Sequence, residues 1–345
     1  ASGLIRNADL SPNGERVVFS ARGEVFNVPS NKGITYNLTQ TPGVHERDAS
    51  WSPDGKWIAW LSDQSGEFEL WVQPHDGSQP ARQITKNADT YFFGMTWSPD
   101  SKKILWSDRK LRLRYVDVES KEVTEVFQGR YGQVYSYAWS PDSKWITFSK
   151  NAENRFSVVA VYNTETRSIN DITDSWYDSG SAAFSNDGKY LVFVSDRDFN
   201  PSYSQTEWNH SYDYMGRVYL ALLSEETPSP FAPENDSVKI ETGAAPEKSD
   251  KAKDGKEKTK DKEAKEEKEA KTVKIDFDGI ANRIISLPVS PGNYRNVACV
   301  DGKVYYNRMG DGGMKALVYL LDKKEEKELG TFRFALSPNN KKMIV

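Results

Sequence analysis

Three histidines, one cysteine and one serine-rich stretch are the groups in this 345-residue chain that could carry chemistry. A nucleophilic serine needs a base within hydrogen-bond reach. Asp178-Ser179-Gly180-Ser181 looks superficially nucleophilic, but His45, His75 and His210 all lie far from it in sequence. There is no Gly-x-Ser-x-Gly elbow, no His-Glu-x-x-His and no pair of cysteines. The residues therefore imply no catalytic set of their own, no metal site and no cofactor. His75 stands in the turn sequence His75-Asp76-Gly77, where a polar surface role is expected. Cys299 has no partner for an internal disulfide, so the fold must rest on its core, and Cys299 reads as a buried strand residue.

The elements around these groups repeat. Ser11-Pro12-Asn13-Gly14, Ser52-Pro53-Asp54-Gly55, Ser98-Pro99-Asp100-Ser101, Ser140-Pro141-Asp142-Ser143 and Ser185-Asn186-Asp187-Gly188 share one turn pattern, and Ser337-Pro338-Asn339-Asn340 is a sixth copy. Ser290-Pro291-Gly292-Asn293 is a weaker copy, one period before Ser337, which makes seven. Serine opens the turn through its hydroxyl, proline pre-sets φ, and glycine accepts positive φ at the fourth position. Large rings such as Trp51, Trp97 and Trp139 precede the turn, and short β-rich runs such as Lys56 to Trp60 follow it. Each period also holds two further strand patterns. Four short strands per repeat predict an all-β, seven-bladed β-propeller over residues 1–345 as one domain. A single blade cannot bury both faces, so the recurring rings are expected between blades.

Residues 200–276 read as an insertion. Its segment 247–271 holds 10 Lys and 9 acidic residues with no core-forming side chain, which predicts a disordered, solvated loop. Its flank 201–214 is rich in Tyr, Trp and His and is expected to pack on the propeller. The chain stops inside a repeat, so the last blade is expected to be incomplete and the chain a fragment. Its start at Ala1-Ser2-Gly3, without Met, reads as a processed one. The net charge of -4 gives no reason to expect nucleic acid, and no apolar run approaches the roughly 18 residues of a membrane span.

The stretch Ala21-Arg22-Gly23-Glu24-Val25-Phe26, then Asn37-Leu38-Thr39-Gln40-Thr41-Pro42-Gly43-Val44-His45-Glu46-Arg47 and Trp51-Ser52-Pro53-Asp54-Gly55-Lys56, resembles the tricorn protease family, and within it the second, seven-bladed propeller. Ser62-Asp63 and Ser195-Asp196-Arg197 are in keeping with it. The turn motif alone is shared with TolB-type and prolyl-oligopeptidase propellers. The resemblance implies a large, homo-oligomeric serine peptidase that trims oligopeptides, cytoplasmic or else periplasmic. In such a protein the propeller is a noncatalytic sieve and route, and the catalytic Ser and His lie in a region after it. A TolB-type interaction propeller and the propeller of a prolyl-oligopeptidase-like hydrolase are the competing readings.

In a propeller the innermost strands line the axis. Five residues before each motif serine stand Arg6, Arg47, Phe93, Tyr135, Gly180, Ile285 and Phe332. His45, Glu46, Arg47, Phe93 and Tyr135 are the candidates to meet a passing peptide, with Arg47, His45 and Glu46 the most polar group.

Overall fold

Each turn serine is buried, and that explains why the position is serine. In blade 3 the Ser98 hydroxyl donates to Asp100 Oδ1 at 2.5 Å and accepts from the Lys103 amide at 2.9 Å. Ser52, Ser140 and Ser185 repeat both bonds with Asp54, Asp142 and Asp187. The fourth turn residue takes positive φ throughout. It is Gly14, Gly55 and Gly188 in three turns, but Ser101 and Ser143, both at 60°, in two others. Left-handed backbone costs a non-glycine residue about 1–2 kcal/mol. These serines offset it with a bond to the preceding blade: Ser101 Oγ accepts from the Asp54 amide at 3.0 Å, and Ser143 Oγ from the Asp100 amide at 3.1 Å. The turns are thereby linked side by side.

The computed structural model describes residues 5–198, 202–203, 210–211, 214–233, 272–310, 313–337 and 340–345. Among them are six antiparallel four-stranded sheets and the two-stranded start of a seventh. Their first strands are Ile5–Leu10, Glu46–Trp51, Phe92–Trp97, Tyr137–Trp139, Ser179–Phe184, Asn293–Val300 and Ala335–Leu336. We number the blades 1 to 7 in that order. First strands of blades 1 and 2, 2 and 3, 4 and 5, and 5 and 6 lie beside one another, which places them in the innermost layer. The Lys342 side chain of blade 7 passes over Gly14 of blade 1.

Five buried apolar clusters are each shared by two neighbouring blades, from the pair 1 and 2 to the pair 5 and 6. The residue before each turn fills these wedges: Trp51, Trp97 and Trp139 are 3%, 5% and 7% exposed. Burying a ring of this size is worth a few kcal/mol, so the seams between blades carry much of the fold's stability.

The structure corrects one repeat. Ser290-Pro291-Gly292 precedes the first strand of blade 6 instead of forming its turn. The turn is Asp301-Gly302, both at positive φ, closing a tight hairpin in which Val300 pairs with Lys303. A two-residue turn needs no Ser-Pro, so the blade lacks the motif and still counts as one. Ile285 is likewise not on an innermost strand: it sits on the outermost strand of blade 5, Ile284–Ser286, paired with Leu220. Cys299 takes the place in blade 6 that Trp51 has in blade 2, and is 3% exposed.

Residues 200–276 are not one insertion: the third strand of blade 5, Arg217–Leu222, falls inside them, so the chain leaves the blade once between its second and third strands and again between its third and fourth. The blade's second and third strands, Tyr190–Ser195 and Arg217–Leu222, pair directly, and its fourth returns after a 3-10 turn at Ile280–Arg283. Ser202–Tyr203 pairs with His210–Ser211 in between. Segment 247–271 and most of the aromatic flank lie outside the described residues. The returning chain packs on blade 4: the Val273 amide donates to Asp142 Oδ2 at 2.8 Å, and Phe277 meets Trp145 at 5.9 Å between ring centroids.

Two outcomes follow from this packing. Ser98→Ala leaves the Lys103 amide and Asp100 without their shared partner, so it should lower unfolding free energy by about 1–3 kcal/mol. Urea denaturation should show a lower midpoint at unchanged slope. Burial pushes the Cys299 thiol up to about 12. Native protein should therefore resist a thiol reagent at neutral pH and react fully in denaturant.

Candidate functional site

The innermost strands alternate sharply. While the residue before each turn is large and buried between blades, the one before that is small: Ser50, Thr96, Ala138 and Ala183 in blades 2 to 5. Ser50, Thr96 and Ala138 line a cavity at the turn-side end of the axis. Because side chains alternate along a strand, filling the wedge with one set leaves the other facing the axis. Asp9 holds this place in blade 1. Its carboxylate accepts from Ser50 Oγ and the Trp51 amide, each at 2.8 Å, and from the Leu10 amide at 2.9 Å. Burial pushes its carboxyl above the usual range, against these three bonds.

Two residues further from the turn, the ladder breaks. The pairing of first and second strands shifts register in blades 1, 2, 3, 5 and 6. A residue with positive φ sits at each break: Asn7, Asp48, Gly94, Ser181 and Asn296. Four of the five are Gly, Asn or Asp, the types that tolerate left-handed backbone, and Ser181 is the exception. Such bulges bend a strand and re-aim its side chains. Here they link blades as well: Asn7 Nδ2 donates to Asp48 Oδ1, and Asn296 Nδ2 donates to the Phe334 carbonyl at 2.7 Å. This set was missed in the sequence. Its only signal is a Gly, Asn, Asp or Ser three residues before the large one, and blade 4 lacks the bulge.

At the strand-start end, four of the five candidates come together. Arg47 lies on the first strand of blade 2, with its guanidinium 4.5 Å from the Phe68 ring centroid and 4.1 Å from that of Tyr91. It pairs with Asp48 and donates to the Phe92 carbonyl at 2.7 Å. His45 is exposed, with its ring 5.7 Å from Phe68, and Phe93 meets Tyr91 at 5.3 Å. Glu46 is buried beneath them and accepts from Thr41 Oγ1 at 2.6 Å. Burial raises its carboxyl above the usual range. Arg47 thus joins blades 2 and 3 through rings and a carbonyl together.

Tyr135 stands apart, 79% exposed, ahead of the first strand of blade 4. It lines a second cavity, of about 330 Å3, with Ser149, Asp178, Ser179, Gly180 and Tyr294. Ser179 is buried and shares a 2.8 Å hydrogen bond with Ser195, while Asp178 accepts from the Ser157 amide at 2.8 Å. Both groups of the superficially nucleophilic segment therefore have structural partners. An ionic cluster braces this end. Asp108, fully buried, accepts from Arg112 Nε and an Arg114 terminal nitrogen, both at 2.8 Å. Asp89 pairs with Arg112 and Lys110, which hold its carboxyl well below the usual range. Gln133 donates to the Asp108 carbonyl at 2.8 Å, so the cluster positions the segment leading to Tyr135.

A profile of the tricorn protease second beta propeller domain matches residues 5–345. Tricorn protease homolog 1 of Streptomyces coelicolor is 30% identical over 292 residues, covering 83% of this chain and 26% of that protein. The tricorn protease homolog of Saccharolobus solfataricus is 22% identical over 346 residues, covering 96% of this chain and 29% of that protein. The chain thus spans less than a third of the length of these relatives. A crystal structure of the tricorn protease superposes with a TM-score of 0.79 at 16% identity, over 99% of this chain and 32% of that one. The β-propeller domain of the Trilobed protease from Pyrococcus furiosus gives 0.52 at 15% identity, over 96% of this chain and 84% of that one. At these identities the two structures bear on the fold alone.

Removing Arg47 should be costly. Arg47→Ala loses two ring contacts and a charged hydrogen bond, and should destabilise the fold by about 2–4 kcal/mol in urea denaturation. Arg47→Lys should recover only part of this, since an ammonium lacks the planar face that stacks between rings.

Proposed function

We propose, from the premise that this chain belongs to the family of the tricorn protease second β-propeller domain, that it is the noncatalytic propeller of a longer serine peptidase and acts there as a filter and passage for oligopeptides. The observation that carries the reading is the alternation on the innermost strands. Trp51, Trp97 and Trp139 are turned into the seams between blades, and the small Ser50, Thr96 and Ala138 line a cavity on the axis. Small side chains there leave room for an extended chain, whereas rings pointing along the axis would fill it.

On this reading Tyr135 and Phe93 meet peptide at the strand-start end, and His45 and Arg47 frame that mouth, with Glu46 buried beneath them. Its partners are peptides and the remaining domains of the peptidase, which assembles as a homo-oligomer in the cytoplasm. Among the described residues no helix is long and apolar enough to cross a membrane.

The test is to narrow the axis in the full-length peptidase. Ala138→Phe should slow turnover of a peptide of about ten residues at least about fivefold and leave a chromogenic di- or tripeptide nearly unchanged. Ala138→Leu should fall between. Equal losses on long and short substrates, in variants whose unfolding midpoints match the parent, would remove the filtering role.

A further inference from the structure

The cavity beside Tyr135 owes its shape to an absent side chain. Arg47, Phe93 and Tyr135 stand five residues before the turn serine in blades 2 to 4, and blade 5 has Gly180 there. Gly180 is not among the residues with positive φ, so its backbone does not require glycine. The space does: a Cβ at Gly180 would stand 3.3 Å from Ser149 Oγ, and a longer side chain would crowd that wall of the cavity. The Ser149 oxygen is shielded from solvent and has no hydrogen-bond partner. A buried hydroxyl without a partner is costly, so it marks a place for a ligand atom.

Two carboxylates, Asp178 and Asp196, line the same cavity, and no Lys or Arg does. Asp178 Oδ1 accepts from the Ser157 amide; among the described residues its other oxygen and both Asp196 oxygens accept no hydrogen bond. Burial, and after it the charge of Asp178, raises the Asp196 carboxyl above the usual range. The cations nearby are engaged elsewhere. Arg197 lies over the rings of Tyr177 and Tyr219 and donates to Ser195 Oγ at 3.1 Å, and Lys150 pairs with Asp171. A calcium ion takes about six to eight oxygen ligands, and among the described residues no group of three His, Cys, Asp or Glu side chains could hold a metal. An ammonium needs fewer: its three N–H donors match Asp178, Asp196 and Ser149.

We propose that this cavity is a subsite for the ammonium group of a peptide, either its N-terminus or a lysine side chain. The inference rests on the reading of the axis as a peptide passage and names what is held at its strand-start end. Asp178 and Asp196 supply the charge, Ser149 supplies a third acceptor, and Gly180 supplies the room. Ser149 comes from the second strand of blade 4, whereas Asp178 precedes the first strand of blade 5 and Asp196 follows its second. The subsite therefore exists only where the two blades pack together.

The test is calorimetric titration of the 345-residue chain with four Gly/Ser hexapeptides. One has a free N-terminus, one is N-acetylated, and two are N-acetylated with a central lysine or acetyl-lysine. At least one of the two peptides with an ammonium should bind at least about tenfold tighter than the two without, and the advantage should shrink with added salt. Which of them is favoured tells the N-terminus from the lysine side chain. Asp178→Asn with Asp196→Asn should abolish the preference, and an asparagine at 178 can still accept from the Ser157 amide. Gly180→Ala keeps both charges and should weaken the favoured peptide at least about fivefold. If the double variant does not fold, Gly180→Ala decides the site. Equal binding of all four peptides to wild type, or a preference undiminished in either folded variant, overturns the subsite. If no peptide binds, the subsite fails as well. In each case the passage is decided separately, by the turnover of Ala138→Phe.

Discussion

Everything in this structure depends on the seam between neighbouring blades. A four-stranded sheet has two apolar faces and no helix to cover either, so it is stable only when other sheets cover both. The strand nearest the axis has least room, because seven sheets converge there. Its side chains alternate, so one set enters the seam and the other faces the axis. Trp51, Trp97, Trp139, Phe184 and Cys299 are the seam set, and all are buried. Asp9, Ser50, Thr96 and Ala138 are the axial set. Packing and a lining of small side chains are thus two results of one period-two pattern.

The same crowding accounts for the backbone. An innermost strand must stay close to its neighbours yet leave its sheet as the blade twists. The breaks at Asn7, Asp48, Gly94, Ser181 and Asn296 provide that bend. Their polar side chains then bridge blades where the ladder is interrupted, as Asn7 does with Asp48. The turn serines work similarly. Each satisfies two groups within its own turn, and Ser101 and Ser143 also bond to the turn before. The seams are therefore closed by hydrogen bonds at both ends and by apolar side chains along their length.

Function in such a ring lies along the axis and at its two ends, and the two ends differ. The strand-start end is built of rings and ion pairs: Arg47 between Phe68 and Tyr91, and Asp108 held by Arg112 and Arg114. These contacts pair the charges of Arg47, Asp108, Arg112 and Arg114 within the fold. The turn-side end is lined by the small Ser50, Thr96 and Ala138, by Pro53 and Pro99, and by Asp9 as its one charged residue. Ser179, in the segment that looks nucleophilic in sequence, is buried and shares its hydrogen bond with Ser195.

By itself the sequence determined the fold class, because a turn of fixed composition recurring with a large ring before it admits few architectures. It also determined that Trp51, Trp97 and Trp139 are core and that Cys299 is buried. It misplaced the sixth turn, since the two-residue Asp301-Gly302 hairpin carries no Ser-Pro and a chance copy stands one period before Ser337. It named His45, Glu46, Arg47 and Phe93 as neighbours of the axis but not their partners, because Phe68 and Tyr91 come from different blades. Only the tertiary structure decided that Asp9 shares a cavity with Ser50, Thr96 and Ala138 from blades 2, 3 and 4. The physical reason is geometric: an axis is made of one strand from each repeat, so its chemistry is set by residues about forty positions apart, which nothing local in the chain brings together.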